Sequence, residues 1–256
     1  MTAPLYLARA RLRRDAPAAA LRPLLAPSDE SARVSASHRL VWTLFADVPD
    51  RERDFLWREA EPGLFYFLSQ RPPTDRHGLF ELDEPKLFAP MLAPGDRLAF
   101  ALRANATVAR GSGPGRRGKP SDVVMDALHA VARGERAAAR QRVIEPAGLA
   151  WLAAQGTRAG FSIAVRAPDT GAHEDDAGEA AGEVELGRAG QGVNGVRVLS
   201  YRTLRLDRAG TSGTLGVLDF EGALEVRDPG TFVAAITRGF GRAKAFGCGL
   251  MLIRRA

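Results

Sequence analysis

Arg238-Gly239-Phe240-Gly241-Arg242-Ala243-Lys244-Ala245-Phe246-Gly247-Cys248-Gly249-Leu250-Met251 closes the last structural unit of this chain. Its four glycines and three cations lie between a helix-like segment, Pro229 to Arg238, and an apolar strand, Leu250 to Ile253, and no carboxylate follows Gly230. Glycine lets a backbone approach a ligand with no Cβ in the way, and neighbouring cations favour a polyanion. Element order separates this loop from the dinucleotide loop, in which Gly-x-Gly-x-x-Gly follows a strand and opens a helix. A P-loop would need Gly-Lys followed by Ser or Thr, which is absent. Two readings stand: a phosphate-binding loop, or a helix C-cap glycine followed by a tight turn and a glycine-bearing strand.

Working outward, the chain reads as two successive units of one plan. Leu5 to Leu12 alternates as a strand. Ser28 can cap a helix to Phe45 whose apolar face is Val34, Leu40, Val41, Leu44 and Phe45. Asp54 to Glu59 and Leu64 to Ser69 read as strands joined at Pro62-Gly63. A short helical turn near Leu87 to Leu92 and a strand from Arg97 to Ala104 complete β-α-β-β-α-β. In the second unit Ser121 opens a helix to Ala132 and Pro146 another to Gln155. Strands follow at Phe161 to Arg166, Val196 to Leu206 and Leu215 to Val226, then the final helix and strand. The expected class is α+β, with two tandem ferredoxin-like (RAMP/RRM-like) domains, 1–104 and 121–256, joined by a basic Gly-rich linker, 105–120. Each unit would pack its helices on one sheet face and leave the other free, the two sheets forming a platform with a cleft.

The 256 residues carry a net charge of +6. Residues 168–195 hold seven acids and one arginine, a net of −6, so the remainder stands at +12. Such a basic body points to an acidic partner, although only Lys86, Lys119 and Lys244 are lysines and arginine bias also arises from GC-rich coding. The stretch near 167–195 lacks large apolar residues and reads as an insertion, either solvated or an acidic mimic occupying the basic face. One cysteine, Cys248, excludes an internal disulfide and a cysteine-built zinc site. The histidines (His38, His77, His129, His173) have no metal-ligand spacing, so neither metal nor cofactor is expected. No segment has the length or hydropathy of a membrane helix, and the N-terminus reads as a first strand, which predicts a cytoplasmic protein.

From Arg103 to Lys119 the chain carries Arg103, Arg110, Arg116, Arg117 and Lys119 with no acid. Gly/Ser/Pro arms with arginines track phosphates, though an ordinary linker also fits. Arg202, Arg205 and Arg208 surround a strand and the turn after it; at a spacing of three they do not all share one face. His38 lies on the first helix with Val34 and Trp42 on its side, which suits a half-buried histidine. Imidazole titrates near neutrality and equally suits general acid or base work.

Arg103-Ala104-Asn105 ending a strand, a Phe220-Glu221-Gly222 turn, the Gly-x-Gly-x-x-Lys-x-x-Gly-x-Gly-Leu run from Gly239 to Leu250, and His38-x-x-Val-Trp-x-Leu-Phe together resemble the CasE family. These are CRISPR repeat-RNA endoribonucleases of the type I-E Cascade complex, within the RAMP superfamily. The resemblance runs from Leu5 to the C-terminus apart from 167–195 and 106–120. It implies two ferredoxin-like domains and metal-independent cleavage at the base of the repeat hairpin by a substrate 2′-hydroxyl. It also implies retention of the cut RNA with the other Cascade subunits. It places His38 as the catalytic histidine; Arg39 or a glycine-loop cation, Arg242 or Lys244, would substitute for the second catalytic group of the family. Some members have a tyrosine three residues before the histidine and a lysine five after it; here those positions are Ser35 and Thr43. RNA would be held by Arg103, Arg110, Arg116, Arg117, Lys119, Arg202, Arg205, Arg208 and the loop residues Gly239, Gly241, Arg242, Gly247 and Gly249. A non-catalytic RAMP subunit that binds and organises CRISPR RNA is the alternative.

Overall fold

The computed structural model describes residues 4–15, 23, 25, 27–48, 51–111, 118–163, 195–208 and 211–256. Arg116, Arg117 and all but the last residue of the 167–195 stretch lie outside the described residues, as does the side chain of Arg208. The first unit comprises β1 (Tyr6–Leu12), α1 (Glu30–Trp42), β2 (Phe55–Glu61), β3 (Leu64–Ser69), β4 (Phe80–Leu82) and the short β5 (Lys86–Leu87). Its sheet is antiparallel in the order β2-β3-β1-β4, with β5 also on β1. That is the ferredoxin-like order with its second helix absent. The helical turn expected near 87–92 does not form, because Pro85, Pro90 and Pro94 remove donors and hold their neighbours extended. Helix α1 is capped by Asp29, not Ser28: the Asp29 carboxylate accepts the Ala32 N–H at 2.7 Å.

The second unit comprises β6 (Arg97–Ala104), β7 (Thr107–Ala109), β8 (Pro120–Asp122), α2 (Val123–His129), α3 (Arg136–Ala159), β9 (Phe161–Ile163), β10 (Arg197–Arg208), β11 (Thr211–Val226), α4 (Pro229–Arg238) and β12 (Met251–Arg255). Its sheet runs β10-β11-β6-β12, with β9 paired to β11. Strand β6, expected to close the first unit, is therefore the first strand of the second. Leu98, Phe100, Leu102 and Ala104 alternate inward, and both its edges are paired, to β11 and β12. The basic stretch after β6 thus leaves a strand inside this unit and does not link two finished sheets. Pro146 does not open a helix but lies within α3, which starts ten residues earlier and buries Ala139, Ile144, Trp151 and Leu152 along one face. Both units are ferredoxin-like, and the class is α+β.

Neither face of the first sheet is free. All six residues of β3 are buried. Phe65 and Phe67 meet Leu40, Val41 and Phe45 under α1, whereas Leu64, Tyr66 and Leu68 join Phe100, Leu102 and Leu252 in the core of the second unit. Burial at about 25 cal/mol per Å² makes this shared core the main force joining the units. Among the described residues no helix is long and apolar enough to cross a membrane.

Candidate functional site

The glycine loop turns back between the units because three backbone positions take a positive φ in succession. Gly239 ends α4 at φ 76°, and Gly241 follows at φ 71°. Ala243, a non-glycine residue, holds a left-handed φ of 54° ahead of a short 3-10 turn, Lys244–Phe246. That conformation is costly for a residue with a Cβ and calls for support from its surroundings. The support comes from the end of β6: Gly249 N–H donates to the Arg103 carbonyl at 2.7 Å and Arg242 N–H to the Asn105 carbonyl at 3.3 Å. The Asn105 amide donates to the Gly216 carbonyl at 2.7 Å. The Arg-Ala-Asn signature is thus the anchor of the loop.

The loop delivers the Ala245 carbonyl to α1. His38 Nδ1 lies 2.7 Å from that oxygen, and Trp57 Nε1 of β2 donates to the same oxygen at 3.3 Å. A carbonyl only accepts, so Nδ1 carries the hydrogen in this bond, which fixes the orientation of the ring. Phe246 stands beside the half-buried imidazole with ring centroids 5.6 Å apart. Gly247, at φ 74°, lies against Trp57: a Cβ there would come within 3.0 Å of the indole. The histidine is therefore fixed at the junction of the two units.

The other expected residues divide into groups. Lys244 is part of the turn that holds Ala245. Burial, then the charges of Arg53 and Arg238, lower its ammonium pKa. Arg39 and Arg242 are exposed. Arg205 is exposed too, its backbone N–H donating to Ser31 Oγ at 3.1 Å. Arg110, though exposed, is paired with Asp126 at 2.6 Å, and Lys119 lies at the surface. Thr43 is committed to the Leu40 carbonyl at 2.7 Å and closes α1. The Phe220-Glu221-Gly222 segment is no turn but lies within β11, paired to β6 and β10.

Arg103 and Arg202 point inward. Asp219 of β11 accepts from Arg103 at 2.8 Å and pairs with Arg202 at 3.0 Å, with Arg58 of β2 at 3.8 Å. Arg202 also reaches Glu30, the first residue of α1, at 2.8 Å. Burial alone would raise the Asp219 pKa, but the arginines outweigh it and hold it below the usual carboxylate range. Burial lowers the Arg58 pKa to about 10, with the Arg103 charge adding to the effect. Burial also pushes the Cys248 thiol up to about 12, so it stays protonated in its apolar setting. Sequence reasoning missed Arg53, Trp57, Arg58 and Asp219, none of which carries a local motif. Among the described residues no three His, Cys, Asp or Glu side chains gather to form a metal site.

A family model described as CRISPR associated protein matches residues 5–255. The CRISPR system Cascade subunit CasE of Escherichia coli (strain K12) is 24% identical over 220 residues, covering 84% of this chain and 88% of that protein. A structure of CRISPR endoribonuclease Cse3 bound to a 19 nt RNA is 25% identical at a TM-score of 0.60, covering 98% of this chain and 99% of that one. CRISPR-associated Cas6e from Escherichia coli K-12 shares the fold at 20% identity and a TM-score of 0.53, over 98% of this chain and all of that one.

Proposed function

The chain belongs to the CRISPR associated protein family, and from that premise we propose that it is an endoribonuclease that cuts CRISPR precursor RNA at the base of the repeat hairpin. The likeness to the Cascade subunit CasE and to Cse3 bound to RNA supports this reading. The observation that carries it is the His38 Nδ1–Ala245 carbonyl bond of 2.7 Å, which holds an imidazole with a defined tautomer at the mouth of a basic loop.

In the proposed reaction the substrate's 2′-oxygen bonds to the adjacent phosphorus, and the bond to the 5′-oxygen breaks. His38 Nε2 accepts the 2′-proton while water protonates the leaving 5′-oxygen or, when protonated, donates to the leaving 5′-oxygen while water takes the 2′-proton. The products are a 2′,3′-cyclic phosphate and a 5′-hydroxyl. A positioned acid or base contributes about 10²- to 10⁴-fold. Cations of the loop and helix, Lys244, Arg242 and Arg39, offset the charge that develops on the phosphorane. The nucleophile belongs to the substrate, so the reaction needs no metal. Arg205, Lys119 and Arg110 hold phosphates, Arg103 and Arg202 shape the floor from inside, and Gly239, Gly241, Gly247 and Gly249, which face inward, seat the loop against β2 and the end of β6 instead of meeting RNA. The product stays bound, and the chain serves in Cascade as CasE does.

A repeat hairpin with one 2′-deoxynucleotide on the 5′ side of the cut tests this chemistry. It should bind as tightly as the all-RNA hairpin and remain whole. Cleavage of that substrate at the same position would rule out attack by the 2′-hydroxyl.

A further inference from the structure

Three cations meet beside the turn that anchors His38, and no carboxylate answers them among the described residues. Gly239 backs onto Leu56 of β2, where a Cβ would stand 2.9 Å from Leu56 Cδ1. Arg238, the last residue of α4, immediately precedes Gly239, Arg53 stands three residues before Leu56, and the charges of both act on Lys244. Gly249 lies under Lys244, where a Cβ would be 3.3 Å from Lys244 Cγ. Arg53 is half-buried, and its Nη1 is fully enclosed without a hydrogen-bond partner. An unpaired buried donor of this kind is destabilising, and more so on a charged group.

From this arrangement we infer that Arg53, Arg238 and Lys244 form a phosphate seat spanning the two units, and that it receives a backbone phosphate of the RNA strand next to the scissile one. The assignment to RNA rests on the nucleolytic reading above; the anion site itself does not. Burial lowers the pKa of both Lys244 and Arg53, and the charges of Arg53 and Arg238 lower that of Lys244 further. The C-terminal end of α4 favours a cation at Arg238, but that explains neither Arg53 nor Lys244. A phosphate would satisfy the enclosed Arg53 Nη1 and relieve the repulsion, so ligand binding and stability draw on the same three side chains. Arg53 comes from the first unit, Arg238 and Lys244 from the second. An occupied seat would therefore brace the junction at which His38 is held.

The test uses the full chain and three variants, Arg53→Gln, Arg238→Gln and Lys244→Gln. Without ligand, Arg53→Gln and Lys244→Gln should melt at or above the wild-type temperature, because a like charge is removed. Inorganic phosphate, titrated at constant ionic strength, should raise the wild-type Tm more than that of any variant. Repeat-hairpin binding should weaken in each variant, and its log K against log salt slope should flatten by about 0.7 to 0.9. Exposed Arg238 gives a variant whose folding is not in question. Wild-type phosphate response and salt slope in all three variants would overturn the seat. A lost phosphate response with an unchanged RNA slope would overturn its assignment to RNA and leave a site for free phosphate. If the slopes flatten but wild-type protein never cuts the hairpin, the seat stands and the nuclease reading falls; cutting with both slopes and phosphate response unaltered in the variants gives the reverse.

Discussion

Asp219 is a buried carboxylate, 6% exposed, set against the guanidinium groups of Arg58, Arg103 and Arg202. Removing one partner of a buried ionic network leaves the others uncompensated and costs about 3–5 kcal/mol. Asp219→Asn should therefore lower the unfolding free energy in urea at pH 7 by about that amount. The sign with pH follows from its lowered folded pKa. The carboxylate's contribution is complete above the unfolded value near 3.9 and is lost as pH falls through the folded value. The gap between wild type and variant should then hold through neutral pH and narrow in strong acid. A gap that does not change with pH would contradict this role. The sequence marks Arg103 and Arg202 as cations but not their direction. Arg103 and its carboxylate lie 116 positions apart, and His38 and its carbonyl 207. No spacing rule reaches across such intervals, so the inward direction of Arg103 and Arg202 is not legible in the sequence.

At the scale of elements, the β10–β11 hairpin carries arginines with two different duties. Arg205 projects outward, while Arg202 ties β10 to Glu30 of α1 and to Asp219. Arg205→Ala should weaken repeat-hairpin binding and reduce its salt slope by about 1 with Tm unchanged. Arg202→Ala should lower Tm as well, because it removes an ion pair at the junction. A melting loss at Arg205 with none at Arg202 would reverse the assignment. Element type was largely legible here. Alternation marks β1, the apolar segments at Leu64 to Ser69 and Arg97 to Ala104 form strands as expected, and Pro229 opens α4 where expected. The errors have local causes: prolines stop the turn after Leu87, and a helix already under way carries Pro146.

At the scale of the molecule, both halves show the ferredoxin-like strand order that the pattern of elements implied. What the pattern lacked was partnership. Strand β6 alternates equally well for either sheet, and only its pairing with β11 and β12 assigns it to the second. The continuous burial of Leu64 to Ser69 is the one local sign that the first sheet is covered on both faces. The site falls at this covered junction, which explains why His38 and the glycine loop were visible separately while Trp57, Arg53 and Arg58 were not. The central claim is that the junction makes His38 a proton-transfer group, and it is tested by cleavage of a labelled cognate repeat hairpin in EDTA. Wild type and His38→Ala would be compared under single-turnover conditions, with binding of each measured alongside. The account expects wild type to cut in EDTA, and His38→Ala to bind equally but cut about 10²- to 10⁴-fold more slowly. Equal cutting by both proteins, or binding without cutting by either, would contradict it.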